Sequence, residues 1–222
     1  MGILGLSEMK PSDFGSSIKP QPIRLPLLVA NALFCMTLND VSVAGNRPAV
    51  SPNQDFSNPM FQLRAPASTG WYGAAQSSTH IEFAKSGSNT DESFVAAVVL
   101  FRTPTFENVD AFTEYVRESV VKDSPSDRFE VLESSVQYSS EREYPCVRYH
   151  GVSNDRKAHT SGLFRKALGF EIVALYCEYP SKPGLVFMVS FSHRGGSAEE
   201  KIDDDAASFI KAVQVTAPLK AP

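Results

Sequence analysis

The sequence predicts an α+β domain: an antiparallel β-sheet of about six or seven strands covered by two helices. Two patterns in the chain point to this. Four strand-like apolar runs, 129–138, 144–153, 169–179 and 185–193, follow one another with turn-forming residues between them. Two stretches with helical spacing of their apolar residues flank that group, one before it and one after it. Consecutive strands joined by hairpins, with few helices, pack as an antiparallel sheet with helical cover. Composition agrees with a globular chain. Of 222 residues, 42% are hydrophobic and 21% charged, with 13 Gly and 15 Pro, which excludes collagen, coiled coil and wholly disordered classes.

Taken in order, Phe61-Gln62-Leu63-Arg64 is the first candidate strand, closed by the turn-like residues 65–70. Residues 79–85 alternate, with Ile81 and Phe83 on one side. Residues 94–101 (FVAAVVLF) are apolar on both faces, which marks a central strand covered on both sides. A helix is predicted over 108–121. Asn108 is its N-cap, and Val109, Phe112, Val116 and Val120 form its apolar stripe. After the four later strands, Ser197 and Glu200 read as a capping box for a last helix that buries Ile202, Ala206, Phe209 and Val213. Residues 213–215 read as a short edge strand. The predicted order is β-β-β-α-β-β-β-β-α over 61–215, with residues 216–222 as a tail.

The N-terminus reads as an export segment over 1–44. Leu25–Leu38 is an apolar run of about fourteen residues, short of the roughly twenty needed to span a bilayer. Ser42 and Ala44 then satisfy the small-x-small pattern of a signal peptidase site. The n-region is long, and a start at Met9 would shorten it. Residues 45–60, with three prolines, read as a flexible linker. The expected location is a bacterial periplasm; the alternative is inner-membrane anchoring by residues 25–38.

Lys and Arg number 21 against 25 Asp and Glu, a formal net charge of −4. No basic excess is available to neutralise phosphates, which argues against a nucleic-acid partner. Of three cysteines, Cys35 falls in the export segment. Cys146 and Cys177 remain, and an even pair in an exported domain points to one structural disulfide. If strands 144–153 and 169–179 are antiparallel neighbours, the two sulfurs can meet across the ladder, on the face of Val173 and Leu175. No Gly-x-Ser-x-Gly, His-Glu-x-x-His or Cys-x-x-Cys motif occurs. A serine triad could still be assembled in space. His150 and His193, near strand ends, could approach one another as weak metal ligands, although surface histidines are commoner. The reading is therefore no catalytic residue, no metal and no cofactor.

Arg142, Arg148, Arg156, Lys157, Arg165 and Lys166 fall in one stretch with aromatic residues among them. They are a candidate surface for an anionic partner; the alternative is a solvated hairpin and loop. Trp71 and Tyr72 are the candidate aromatic lip of the same interface or of a pocket. The alternative for Trp71 is a core plug.

The element order, the Gly70-Trp71-Tyr72 turn, the strand 94–101, the helix opening Asp110-Ala111-Phe112 and the closing Phe209-Ile210-Lys211-Ala212-Val213 resemble the PsbP-like fold, an α/β/α sandwich. The fold is shared by DcrB-type bacterial proteins and Mog-type Ran-binding proteins. The stretches 144–149 and 175–177 are also similar to small exported proteins of unknown role. The resemblance implies a binding or assembly module and transfers no functional residue. The expectation is an exported, non-enzymatic binding or envelope-accessory domain whose partner is another envelope protein or an anionic surface. A small hydrolase, or a structural protein anchored by its N-terminal segment, are the alternatives.

Overall fold

The computed structural model describes residues 47–158, 160, 166–180, 182–196 and 202–216. The export segment 1–44, Arg165, the Ser197/Glu200 capping box and the tail from 217 onward lie outside them. Ten strands and two helices are described: β1 (Asp55–Ser57), β2 (Phe61–Arg64), β3 (Tyr72–Gln76), β4 (His80–Ser86), β5 (Ser93–Arg102), α1 (Val109–Asp123), β6 (Phe129–Ser139), β7 (Cys146–Asp155), β8 (Leu168–Glu178), β9 (Leu185–Gly195), α2 (Asp203–Ala212) and β10 (Gln214–Val215). Seven strands form one antiparallel sheet in the order β3-β4-β5-β9-β8-β7-β6, and β1-β2-β10 form a small second sheet. The α+β class of two helices over a seven-stranded antiparallel sheet is what the patterning predicts.

β5 and β9 are central because their side chains are apolar on both faces. They pair over ten residues, from Ser93↔Arg194 to Arg102↔Leu185. Each face then needs a cover. α1 packs Phe112, Val116 and Val120 over Val147, Tyr149, Ala174, Tyr176, Val186 and Met188. α2 packs Ala206, Phe209 and Ile210 with the small sheet over Val173, Leu175, Phe187, Val189 and Phe191. Asn108 caps α1: its side-chain oxygen accepts from the Ala111 N–H at 2.9 Å, one of the orphan donors of a helix start. α2 begins at Asp203, after Ile202, with no side-chain cap. Three aspartates in its first turn favour the positive end of the helix dipole instead.

Two departures from the sequence reading lie before α1. Five strands precede it rather than three, because β1 and β3 are missing from the apolar pattern. β3 (YGAAQ) is built of small residues and forms by pairing with β4. Residues 47–60, expected as a flexible linker, are packed on the domain in the described part. Val50 is buried, its N–H bonds to the Trp71 carbonyl at 2.9 Å, and β1 pairs with β2.

Cys146 and Cys177 stand directly opposite each other across β7 and β8. Their sulfurs are 2.05 Å apart, in a disulfide closing a separation of 31 residues. Both are fully buried in the core under α2 with Val173 and Leu175. Gly184 makes the turn into β9 with φ of 73°, a left-handed conformation that glycine adopts without steric cost.

Candidate binding cleft

A cleft opens where α1 stops. The cause is visible in the period-two pattern of the strands beneath it. On the α1 face, β9 reads Val186, Met188, Ser190, Ser192, Arg194, and β7 reads Val147, Tyr149, Gly151, Ser153, Asp155. Each strand changes from apolar to small or polar halfway along. The first half lies under the helix. The second half, with Val95 and Ser93 of β5 and Ile172 and Phe170 of β8, forms an open floor. Val120, Asp123 and Ser124 at the end of α1, and Arg128, Phe129 and Val131 beyond it, supply the walls. The cleft holds about 920 Å³ of empty space, counting its open mouth.

Gly151 gives this floor room. A Cβ there would fall 2.1 Å from the Tyr149 hydroxyl oxygen, so only glycine lets the tyrosine lie across its own strand. Ser153, Ser190 and Ser192 are 8%, 2% and 6% exposed, and Ser93 is half-buried. No described residue gives the hydroxyl of any of these four serines a hydrogen bond. None of the four is among the buried side-chain atoms left without a partner, so these hydroxyls face the open cleft, where water or a molecule that enters it can bond to them.

The far end of the cleft is charged. Asp155 is fully buried. Arg128 grips it with two bonds, Nε to Oδ1 at 3.0 Å and Nη2 to Oδ2 at 2.9 Å. Arg194 reaches the same Oδ2 through Nη2 at 3.1 Å. Burial alone would raise the Asp155 pKa; the Arg128 hydrogen bonds and the charges of both arginines outweigh it and hold the carboxylate below its usual value. Burial lowers the Arg194 pKa, and the charge of Asp155 opposes that shift. Arg194 Nε is buried without a hydrogen-bond partner among the described residues. Its guanidinium lies 5.2 Å from the centre of the Phe170 ring.

At the near end, burial pushes Asp123 up to about 6, with Lys122 partly opposing the shift. Beside it, burial pushes Tyr149 up to about 12.

The opposite face of the same strands carries a histidine–carboxylate row. His150 Nε2 lies 2.9 Å from Glu171 Oε1. His193, buried and stacked on Phe94 at 4.5 Å, lies 3.1 Å from Glu92 Oε1. Glu171 and His193 are register partners on β8 and β9, so Glu171 stands between the two histidines that the sequence offers as a metal pair. Among the described residues no group of three His, Cys, Asp or Glu side chains converges as a metal site. Strand alternation puts His150 and His193 on the face away from the four serines, so neither can take a proton from them.

The basic stretch is divided by the fold. Arg142 Nη2 donates to the Ile210 carbonyl at 2.7 Å, at the C-terminal end of α2. Arg148 pairs with Glu141 at 2.8 Å. Arg156 and Lys157, at the other end of the ten-residue strand β7 and so about 30 Å away, pair with Glu130 and Asp127. Lys166 is exposed before β8. Trp71 is not on a surface: it is 3% exposed, its indole N–H donates to Ser68 Oγ at 2.9 Å, and its ring meets Phe191 edge-on at 5.7 Å. It is a core plug because the preceding Gly70 turns it inward, at φ of 90°. Tyr72 is half-buried at the β3 edge under Arg47, at the opposite side of the sheet from β6 and β7. These aromatics and the cations therefore do not form one interface. Sequence reading missed the cleft. The apolar-to-hydroxyl change along β9 and β7 was the available signal.

No protein-family model matches the sequence, and no curated protein does. Among solved structures the chain is similar to the Saccharomyces cerevisiae Ran-binding protein Mog1p, with 11% identity and a TM-score of 0.39, over 75% of this chain and 96% of that one. A Mog1 mutant matches with 13% identity and a TM-score of 0.38, over 77% and 96% of the two chains. A Bacteroides thetaiotaomicron protein matches with 13% identity and a TM-score of 0.32, over 74% of this chain and 49% of that one.

Proposed function

We propose that this chain is an exported, non-enzymatic binding domain of the cell envelope and that it binds through the cleft at the end of α1. The observation that carries the site is the floor: four serine hydroxyls without a described hydrogen bond, set among apolar walls. Pockets of this make-up, mostly apolar with a few placed polar groups, are the usual form of small-ligand sites. The non-enzymatic reading is supported by the separation of the serines from His150 and His193 by the thickness of the sheet. Export is supported by the 25–38 run followed by Ser42 and Ala44, and by the buried Cys146–Cys177 bridge, which persists in an oxidising compartment. The basic stretch at 142–166 is the weaker candidate for a partner surface, because four of its six cations already hold a local oxygen partner.

Two measurements test this. N-terminal sequencing of protein from the native host should start near Gly45; an intact Met1 or Met9 terminus in a cytosolic fraction would refute export, and an intact one in the membrane fraction would support anchoring. Native mass spectrometry of the same protein should show a retained small molecule. A Ser192→Phe variant, which fills the cleft, should lose it while keeping the near-ultraviolet circular dichroism of the wild type. Undiminished retention by that variant would remove the cleft as the site.

A further inference from the structure

Resting on that reading of the cleft, we propose that its ligand carries one anionic head group on an apolar body, and that the head sits at Arg194. The geometry gives the cleft a direction. The register places Ser93 of β5, Arg194 of β9, Phe170 of β8 and Ser153 of β7 in one row across the floor. The next row holds Val95, Ser192, Ile172 and Gly151. Arg194 therefore has a hydroxyl beside it on the neighbouring strand and another two residues back on its own. Hydroxyl donors around a guanidinium are oxyanion-binding chemistry, because each can point a proton at the same oxygen.

The bonding of Arg194 points the same way. It meets Asp155 Oδ2 through Nη2 and keeps an Nε without a hydrogen-bond partner among the described residues. An oxyanion at this end would add a charge-assisted partner for its guanidinium. Phe129 and Phe170 flank the Arg194 end, and toward α1 the lining is Val95, Ile172 and Val120, interrupted by Ser190 and Ser192. Glu133 sits exposed at the rim. Asp123 stands at the opposite end, beside Tyr149. Its burial and raised pKa disfavour a second anionic group there. A ligand charged at one end only is the complement of this arrangement.

The test compares three probes of one chain length, decanoate, 1-decanol and decyltrimethylammonium, each titrated into the full mature protein by calorimetry. Decanoate should bind at least about tenfold more tightly than decanol, the difference one charge-assisted hydrogen-bond set supplies, and the cationic probe should not bind. Arg194→Met should bring decanoate to the affinity of decanol and leave decanol unchanged. Should Arg194→Met fail to fold because Asp155 loses a partner, Ser192→Val should reduce the decanoate preference several-fold on an intact fold. Arg117→Gln, an exposed cation on α1 outside the cleft, should change nothing.

Equal binding of decanoate and decanol would overturn the anionic head group and leave the cleft reading standing. An equal loss of affinity in Arg117→Gln and Arg194→Met would overturn it as non-specific charge attraction. Binding of none of the three probes would also overturn it, while retention of a native molecule, lost in Ser192→Phe, decides the cleft reading separately.

Discussion

The two ends of the seven-stranded sheet are made from the same four central strands and have opposite chemistry. At the end covered by the helices, both faces are apolar: Tyr176, Val186 and Met188 lie under α1, and Cys146, Cys177, Leu175 and Phe187 under α2. At the other end, one face carries serines with the Arg128–Asp155–Arg194 cluster, and the other carries His150, Glu171, His193 and Glu92. The change happens within single strands, over two or three residues. A sheet whose only task was to fold would continue the apolar pattern, because each buried hydroxyl or charge costs free energy unless it is bonded. The first end supplies the stability, and the second is free to hold a site.

That division is broken most severely at the closed end. Phe112 and Phe209 are 0% and 2% exposed, one on each helix. Replacing either by Ala should cost about 3–5 kcal/mol, read by urea unfolding. A loss below about 1 kcal/mol at both would mean the helices do not anchor this end.

Reduction of the Cys146–Cys177 bridge, also at the closed end, should cost somewhat less. The chain-entropy model for the 31-residue separation gives roughly 3–4 kcal/mol. Thermal unfolding with and without reductant reads the loss, and mass spectrometry of non-reduced peptides reads the bridge itself. Two free thiols in protein from an oxidising compartment would refute both the bridge and its assignment to the stable end.

Asp123 sits at the boundary between the ends, and its effect depends on pH. Its folded pKa is raised from 3.8 to about 6 by burial. The folded state therefore prefers the neutral acid. That stabilisation is fully present below about pH 3.8 and is lost as pH rises through about 6. Asp123→Asn keeps the neutral form at every pH. The variant should match the wild type near pH 4 and exceed it above pH 6 by up to about 3 kcal/mol, the shift expressed as free energy. A difference between variant and wild type that is flat from pH 4 to pH 7.5 would show the carboxyl is not confined at the boundary.

The closed end was legible in the sequence and the open end was not. The stripes Phe112-Val116-Val120 and Ala206-Phe209 announce helices, and the double-sided run 94–101 announces a central strand, because apolar periodicity is a local property of the chain. Cys146 and Cys177 could be paired on paper because they fall in successive strands. The site needs more. Its serines are scattered from 93 to 192 and gather only through a strand order, β5-β9-β8-β7, that places β9 between β5 and β8. The basic stretch misled for the converse reason. Arg142 and Arg156 are close in sequence, but β7 carries them to its two ends and each finds a local oxygen there. For Trp71 the sequence left two readings, core plug and aromatic lip, because an exposed turn tryptophan and a buried one have the same neighbours in sequence; the structure has the plug.

The smallest effect is expected at the serines, and it sharpens the comparison most. Ser190 and Ser192 are nearly as buried as the phenylalanines, yet their hydroxyls bond to no described residue. Were they structural, Ser→Ala would remove a hydrogen bond and cost about 1 kcal/mol. If instead they serve the ligand, the folded protein without ligand keeps hydroxyls that bond only to transient water, and the alanine variant loses nothing. Ser190→Ala and Ser192→Ala should therefore leave the unfolding free energy of ligand-free protein unchanged within about 0.5 kcal/mol, or raise it slightly. Ligand-loaded protein gains stability with occupancy, and that gain should shrink in both variants. The paired measurement, melting with and without ligand, separates the two roles. A loss above about 1 kcal/mol in the ligand-free state would place the serines with the scaffold and erase the distinction between the two ends on this face of the sheet.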